Sequence, residues 1–201
     1  KTYQHYGLLM FEFIANHKSK ITDDIFKIDN NSKEILNEQD GLIFMTAHLG
    51  NWEMVLPIIS KYKKLTGIVR TQKNSGADKF FHECRQHNDD IILLSKKGSK
   101  REMLLNLKKG HVLGLASDQN AHNRGTQTSF FGKKASFPKG AGHFNFLTNL
   151  KIIFGFCILK DDYSYDFKLE YLQLDKHYEK KEELISEINK LYVKKLENQI
   201  E

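Results

Sequence analysis

The stretch GLIFMTAHLGNWEMV, at residues 41–55, joins an apolar run to a polar loop and then to a helical pattern. Residues 42–47 form an apolar run of the length typical of a buried strand. A helical pattern follows over residues 52–62. A strand, a loop and a helix in this order predict a βα unit, in which the loop lies at the carboxyl end of the strand.

Outward from this stretch, short apolar runs continue to alternate with helical patterns. A predicted strand over 66–70 is followed by a helix over 77–87, and one over 91–94 by a helix over 100–108. A third predicted strand, over 111–117, is followed by a long polar loop over 118–137. Amphipathic patterns predict helices over 3–16, over 138–149 and at the end of the chain. KIIFGFCILK and YDFKLEYLQL, between the last two helices, are predicted to be adjacent strands. This order indicates an α/β fold with a largely parallel sheet covered by helices.

The length, composition and net charge of the chain limit the kinds of protein to which it can belong. The 201 residues are 40% hydrophobic, as in one compact domain, and 31 basic against 25 acidic residues give a net charge of +6. This charge favours an anionic partner, which includes nucleic acid, acidic protein, phosphate and an anionic lipid surface. Cys84 and Cys157 lie far apart and predict no disulfide framework. No apolar run approaches the roughly 20 residues that cross a bilayer, so we expect no membrane span.

His48 and Glu53 are the first candidates for chemistry. His48 follows the predicted strand and Glu53 falls in the first turn of the next segment, so the carboxylate could fold back and orient the imidazole. Such a pair suits removal of a hydroxyl proton while the oxygen attacks an acyl carbon. Helix caps and surface pairs also produce this spacing. The pair alone therefore leaves catalysis and a structural role open.

Further polar residues follow other predicted strands. Arg70 ends TGIVR and Arg85 lies in the next helix, and either guanidinium could hold a phosphate or stabilise a carbonyl oxygen. A solvated or ion-paired arginine is the alternative. His82, Cys84 and His87 lack the spacing of a zinc site and do not share one helix face.

Lysines around residues 96–97, 108–109 and 133–139 raise nucleic-acid binding as an alternative. No recognisable nucleic-acid motif accompanies these lysines. A solvated, lysine-rich surface is the simpler interpretation, and we expect no nucleic acid among the partners.

AHLGNWE followed by GIVR and LKKGHVLGLASDQNAHNRGTQTSFFGKKASFPKGAG resembles the lipid A biosynthesis acyltransferases, the lauroyl and myristoyl transferases of bacterial lipopolysaccharide synthesis. The similarity covers nearly the whole chain as an ordered series of motifs at family-like separations. It implies a mixed sheet with helices on both sides, shared with glycerol-phosphate acyltransferases. It also implies that no metal or organic cofactor is needed.

The resemblance assigns roles residue by residue. It makes His48 the general base, Glu53 its polarising partner and Arg85 an arginine important for activity. Arg70 would end a strand near the site, Asp118 matches the aspartate of the DQ motif, and small residues would let the loop approach the site. The implied substrate-binding set is Arg70, Asp118, Gly132, Gly140, Asn51 and Trp52.

The implied donor is a fatty acyl thioester on acyl carrier protein, and the implied acceptor is a hydroxyl of a lipid A precursor. Both are acidic, which gives the positive charge a reason and adds the anionic cytoplasmic face of the bacterial inner membrane as a partner. Family members usually begin with a membrane-inserting helix and end in an aromatic and basic motif. We therefore expect residues 1–201 to be one acyltransferase domain without these two ends.

Two alternatives to this function remain. One is a transferase of the same superfamily that acylates glycerol phosphate or another glycolipid. The other is a catalytically silent module that binds lipid or carrier protein without turnover.

Overall fold

The computed structural model describes residues 2–16, 25–86, 88–95 and 99–201. The strands are β1 (Phe26–Ile28), β2 (Leu42–Thr46), β3 (Leu65–Val69), β4 (Ile91–Ser95), β5 (Val112–Ala116), β6 (Thr126–Phe130), β7 (Lys133–Phe137), β8 (Ile152–Leu159) and β9 (Tyr165–Tyr171). The helices are α1 (Thr2–Asn16), α2 (Asn30–Leu36), α3 (Val55–Ser60), α4 (Ser75–Arg85), α5 (Lys100–Lys108), α6 (Gly140–Thr148) and α7 (Lys181–Ile200). Two short 3-10 helices cover Trp52–Met54 and His122–Arg124.

Seven of these strands form one sheet in the order β1-β9-β8-β2-β5-β3-β4. The five strands from β8 to β4 are parallel, whereas β9 is antiparallel to β8 and parallel to β1. β6 and β7 form a separate antiparallel hairpin. The prediction of an α/β fold with a mixed, largely parallel sheet is therefore confirmed.

β2 lies at the centre of the sheet, and all five of its residues are buried. Ile43 and Met45 belong to one apolar cluster, together with residues of α6 and α7. Leu42 and Phe44 belong to a second cluster with residues of α2 and α3. Successive side chains of a strand point to opposite faces, so a strand covered on both faces needs a continuous apolar run. This requirement explains the sequence LIFM.

The predicted and observed elements differ in three places. The segment 118–137 was predicted to be a loop but contains the β6–β7 hairpin. The helix predicted over 52–62 begins as a 3-10 helix, and Pro57 lies in the first turn of α3, where its missing N–H costs little. β1 and α2 were not predicted. His87, Lys96 and Lys97 lie outside the described residues.

Candidate active site

Three neighbouring elements hold the carboxyl end of β2. The carbonyl oxygen of Thr46 accepts hydrogen bonds from the backbone N–H of Ser117, at 2.9 Å, and from the hydroxyl of Tyr192, at 2.8 Å. The Thr46 hydroxyl donates to the carbonyl oxygen of Gly155 in β8, at 3.0 Å. Ser117 follows β5 and Tyr192 belongs to α7. The loop after β2 therefore starts from a position fixed on three sides.

His48 and Asp118 leave two neighbouring parallel strands at the same level. Thr46, the last residue of β2, pairs with Ala116, the last residue of β5. Each polar residue thus lies two positions beyond a strand end. Nδ1 of His48 lies 2.9 Å from Oδ1 of Asp118, and the His48 backbone N–H donates to Oδ2 at 3.1 Å. The strand register brings together an imidazole and a carboxylate that are 70 residues apart.

This contact sets the charge state of both groups. The hydrogen bond with Asp118 raises the pKa of His48 above its ordinary value, against partial burial that would lower it. Burial alone would raise the pKa of Asp118, but hydrogen bonds from the His48 ring and backbone outweigh it, so this pKa is lowered. Asp118 is therefore a carboxylate at neutral pH. When Nδ1 donates to it, Nε2 carries the lone pair that can accept a proton.

Glu53 forms a bidentate ion pair with Arg85. Nε and Nη2 of Arg85 donate to Oε2 and Oε1 of Glu53 at 2.9 and 2.6 Å. The Arg85 guanidinium carbon also lies 5.7 and 5.6 Å from the ring centres of Phe13 and Phe81. Among the described residues no hydrogen bond joins Glu53 to His48. The predicted direct contact between His48 and Glu53 is wrong.

A sharp turn after Leu49 explains why Glu53 points to Arg85 and not to His48. Gly50 has a φ of +63°, and a Cβ there would lie 2.0 Å from the carbonyl oxygen of Cys157. The Asn51 backbone N–H donates to that same oxygen at 2.8 Å. The following 3-10 helix then turns Glu53 towards α4. Beside the hydrogen bond that Asp118 accepts from His48, Glu53 contributes to the raised pKa of His48 through its negative charge.

A cavity of about 560 Å³ opens beside His48 and Asp118. The apolar part of its lining comes from the loop after β2, the β6–β7 hairpin and α7, and includes Leu49, Phe130, Phe137, Leu196 and Ile200. The polar part includes Asn120, His122, Gln127 and Lys134. A ligand in this cavity would meet apolar surface and hydrogen-bonding groups at once, next to the histidine.

Comparison with known protein families covers the whole chain. The model of the family described as bacterial lipid A biosynthesis acyltransferase matches residues 1–201. The chain belongs to this acyltransferase family. The resemblance drawn from the sequence motifs is confirmed. No curated protein matches the chain.

Two loop residues of the acyltransferase have different surroundings. The Trp52 ring packs edge-on against the His48 ring, with 5.3 Å between the ring centres. Asn51 is fully buried, and its amide donates to Glu12 of α1 at 2.7 Å. Trp52 thus touches the histidine directly, the side chain of Asn51 binds α1, and neither residue lines the cavity.

Arg70, Gly132 and Gly140 do not line the cavity. Arg70 is exposed directly after β3, and Gly140 is the first residue of α6. Gly132 lies in the β6–β7 turn with a φ of +75°, and nothing lies within 4 Å of the position of an added Cβ. The left-handed turn, rather than a close approach to the site, explains this glycine.

The hairpin residues of the cavity were missed by sequence reasoning. TQTSF and KKASF flank the dipeptide Phe131–Gly132, and both of its residues have positive φ, as two-residue type I′ hairpin loops require. The available signal for a hairpin was the pair of five-residue runs on either side of a glycine-containing turn. The long polar loop was predicted to be functional, and its hairpin lines the cavity with the polar Gln127 and Lys134 as well as with Phe130 and Phe137.

Of the three residues weighed as metal ligands, His82 and Cys84 lie in the described part of the chain and His87 does not. Cys84 is buried, and burial raises the pKa of its thiol. Within residues 2–16, 25–86, 88–95 and 99–201, no group of three histidine, cysteine or acidic side chains is placed to hold a metal ion. In the same ranges, no helix is long and apolar enough to span a bilayer.

Proposed function

We propose that this acyltransferase moves a fatty acyl group from an acyl carrier protein thioester to a hydroxyl of a lipid A precursor, with His48 as general base. Family membership supports acyltransferase activity and a lipid A-type acceptor. One observation carries the role of His48. Its Nδ1 is bound to Asp118 at the edge of a cavity, which leaves Nε2 to take a proton.

The proposed reaction proceeds through one tetrahedral intermediate. Nε2 of His48 removes the proton of the acceptor hydroxyl while the oxygen attacks the thioester carbonyl carbon. The new C–O bond converts the carbonyl oxygen to an oxyanion. Collapse of this intermediate breaks the C–S bond, and the imidazolium returns its proton to the departing thiolate. The products are an ester and the free thiol of the carrier.

Asp118 takes the role that the sequence assigned to Glu53. Its carboxylate fixes the ring tautomer of His48 and stabilises the imidazolium during the reaction. Glu53 already shares both oxygens with Arg85, and neither residue lines the cavity. We therefore assign the Glu53–Arg85 pair to positioning the 3-10 helix whose Trp52 packs on the histidine.

The lining of the cavity supports an amphipathic substrate. Phe130, Phe137 and Leu196 offer apolar surface to an acyl chain. Lys134, in the same lining, offers positive charge to the phosphorylated sugar of a lipid A precursor, and His122 offers a hydrogen bond. Both kinds of surface adjoin the base, as transfer of an acyl chain to a phosphorylated glycolipid requires.

Charge and exposed apolar side chains support the remaining partners. The net charge of +6 would attract an acidic carrier protein and the anionic cytoplasmic face of the inner membrane. Tyr3, Phe11 and Ile14 of α1 are 95%, 71% and 48% exposed. They lie at helical spacings of eight and three residues, so they share one side of α1. Such a side suits contact with a lipid surface.

The test is an assay of the intact protein with a series of acyl carrier protein thioesters. Lipid A precursor and glycerol phosphate are supplied as separate acceptors, and products are weighed by mass spectrometry. We expect the precursor alone to gain the mass of one acyl group. Acylated glycerol phosphate would instead favour the related superfamily function. Substrate binding without any product would favour a silent module.

A further inference from the structure

Helix α1 touches the loop that carries His48 at two points and the Glu53–Arg85 ion pair at a third. Nε2 of His5 lies 3.3 Å from the carbonyl oxygen of Gly50. Glu12 accepts the hydrogen bond from Asn51, and Phe13 packs against the guanidinium of Arg85. These three residues of α1 therefore meet the loop after β2 and the ion pair beside it.

Glu12 is the polar centre of this contact. One of its oxygens, Oε2, accepts from the Asn51 amide at 2.7 Å and also from the Tyr165 hydroxyl. Asn51 and Tyr165 are 0% and 1% exposed. The carboxylate thus joins α1, the loop and β9 at a buried point, and the mechanism proposed above gives it no chemical task.

In the sequence, Asn51 lies between His48, which pairs with Asp118, and Glu53, which pairs with Arg85. Its backbone N–H donates to the carbonyl oxygen of Cys157 at 2.8 Å, and its own carbonyl accepts from Met54 at 3.2 Å. Its side-chain oxygen is buried and has no hydrogen-bond partner among the described residues. The amide group of this side chain is held by the bond to Glu12 and by a contact with the Tyr165 hydroxyl, which itself binds Glu12.

We propose that Glu12 is a positioning residue for acyl transfer, which fixes the loop through Asn51 so that His48 and Trp52 keep their relative placement. The role in turnover rests on the proposed function, whereas the effect on the His48 ring does not. Without Glu12, the fully buried amide of Asn51 would lose its hydrogen bond to α1 and would shift towards the partner that is left, Tyr165. Trp52, the next residue, would move with it and disturb the His48 ring. A displacement of about 1 Å in an active site can reduce turnover about 100-fold.

Three variants separate positioning from simple stabilisation. Glu12→Ala removes the hydrogen bond to Asn51, and Glu12→Gln keeps an oxygen that accepts from Asn51. Leu9→Ala is the control, because Leu9 is a buried residue of the same helix that makes no polar contact with the loop. For each variant of the intact protein we would measure kcat, KM, the melting temperature and the NMR signals of the His48 ring through a pH titration.

We expect Glu12→Ala to lower kcat about 10- to 100-fold with KM little changed. Its His48 signals should shift, and Glu12→Gln should restore both kcat and the signals. Leu9→Ala should lower the melting temperature at least as much as Glu12→Ala while kcat and the His48 signals stay as in the wild type. Unchanged His48 signals in Glu12→Ala, or equal changes in Leu9→Ala, would overturn the inference. The signals need no turnover, so a wild type without transferase activity would reject the proposed function alone.

Discussion

Oδ1 of Asp118 lies 2.9 Å from Nδ1 of His48, and each residue stands two positions past the end of one of two paired parallel strands. Glu53, only five positions from His48 along the chain, binds Arg85 instead. The two carboxylates near the histidine therefore have different partners. Variants of each should have different consequences for activity, pH dependence and stability.

Replacement of His48 tests the base. His48→Ala should lower kcat about 10²- to 10⁴-fold, the usual contribution of a general base, because His48 is the only side chain of the described residues that is hydrogen-bonded to Asp118. Steady-state kinetics of acyl transfer would measure this loss, with circular dichroism to check folding. His177→Ala is the matched control, since His177 is exposed and does not line the cavity. Turnover near that of the wild type in His48→Ala would reject the assignment.

The raised pKa of His48 predicts the pH profile. His48 must be neutral to accept a proton, so kcat/KM should rise with pH through a midpoint above the ordinary value of 6.5. Asp118→Asn removes the carboxylate that raises this pKa, so its midpoint should move to lower pH. Glu53→Gln should move the midpoint less, because Glu53 acts through its charge alone. A larger shift in Glu53→Gln than in Asp118→Asn would contradict the division of roles.

The Glu53–Arg85 pair should matter for stability. Its side chains are 10% and 20% exposed, and removing one partner leaves the other poorly solvated. Glu53→Ala and Arg85→Ala should each lower the free energy of unfolding by about 3 kcal/mol. The double variant should lose less than the sum of the two.

Urea unfolding would measure these losses. The exposed pair of Lys195 and Glu170 provides the comparison, because a surface pair contributes at most about 1 kcal/mol. Additive losses in the double Glu53 and Arg85 variant would show that the two side chains do not act as a pair.

His122 offers a test of the cavity. Its φ is +51°, a conformation that costs a residue with a Cβ about 1 to 2 kcal/mol, and it lines the cavity. His122→Gly should therefore raise the melting temperature while it raises the KM for the lipid acceptor. Tyr163→Gly is the control, because Tyr163 has a φ of +61° outside the cavity lining. It should raise the melting temperature alone. An unchanged KM in His122→Gly would remove this residue from the substrate site.

The exposed side of α1 should affect membrane binding. Replacing Phe11 and Ile14 together by serine should weaken binding to phosphatidylglycerol vesicles about tenfold, because less apolar surface enters the lipid. Leu147→Ser, on α6, is the control, since Leu147 is 50% exposed on a different helix. Cosedimentation at low and high salt would measure the binding. Equal binding to uncharged phosphatidylcholine vesicles would contradict the proposed attraction to an anionic surface.

Local sequence was sufficient for most of the fold. The run LIFM predicted a buried strand, and β2 is buried throughout. Apolar residues at helical spacing predicted helices, and for α5 the predicted range equals the observed one. Helices and strands follow from the spacing of apolar residues along the chain, because that spacing decides which side chains reach the core. The hairpin was not predicted, since its strands bury few residues and their sequences, TQTSF and KKASF, contain few apolar side chains.

The sequence by itself determined the family, the α/β class and the histidine at the carboxyl end of β2. Only the tertiary structure decided that Asp118 holds this histidine, that Glu53 belongs to Arg85, and that Glu12 lies beneath the loop. These contacts join residues 70, 32 and 39 positions apart. Spacing along the chain reports on contacts within one element. The register of neighbouring strands and the packing of helices decide which distant side chains meet.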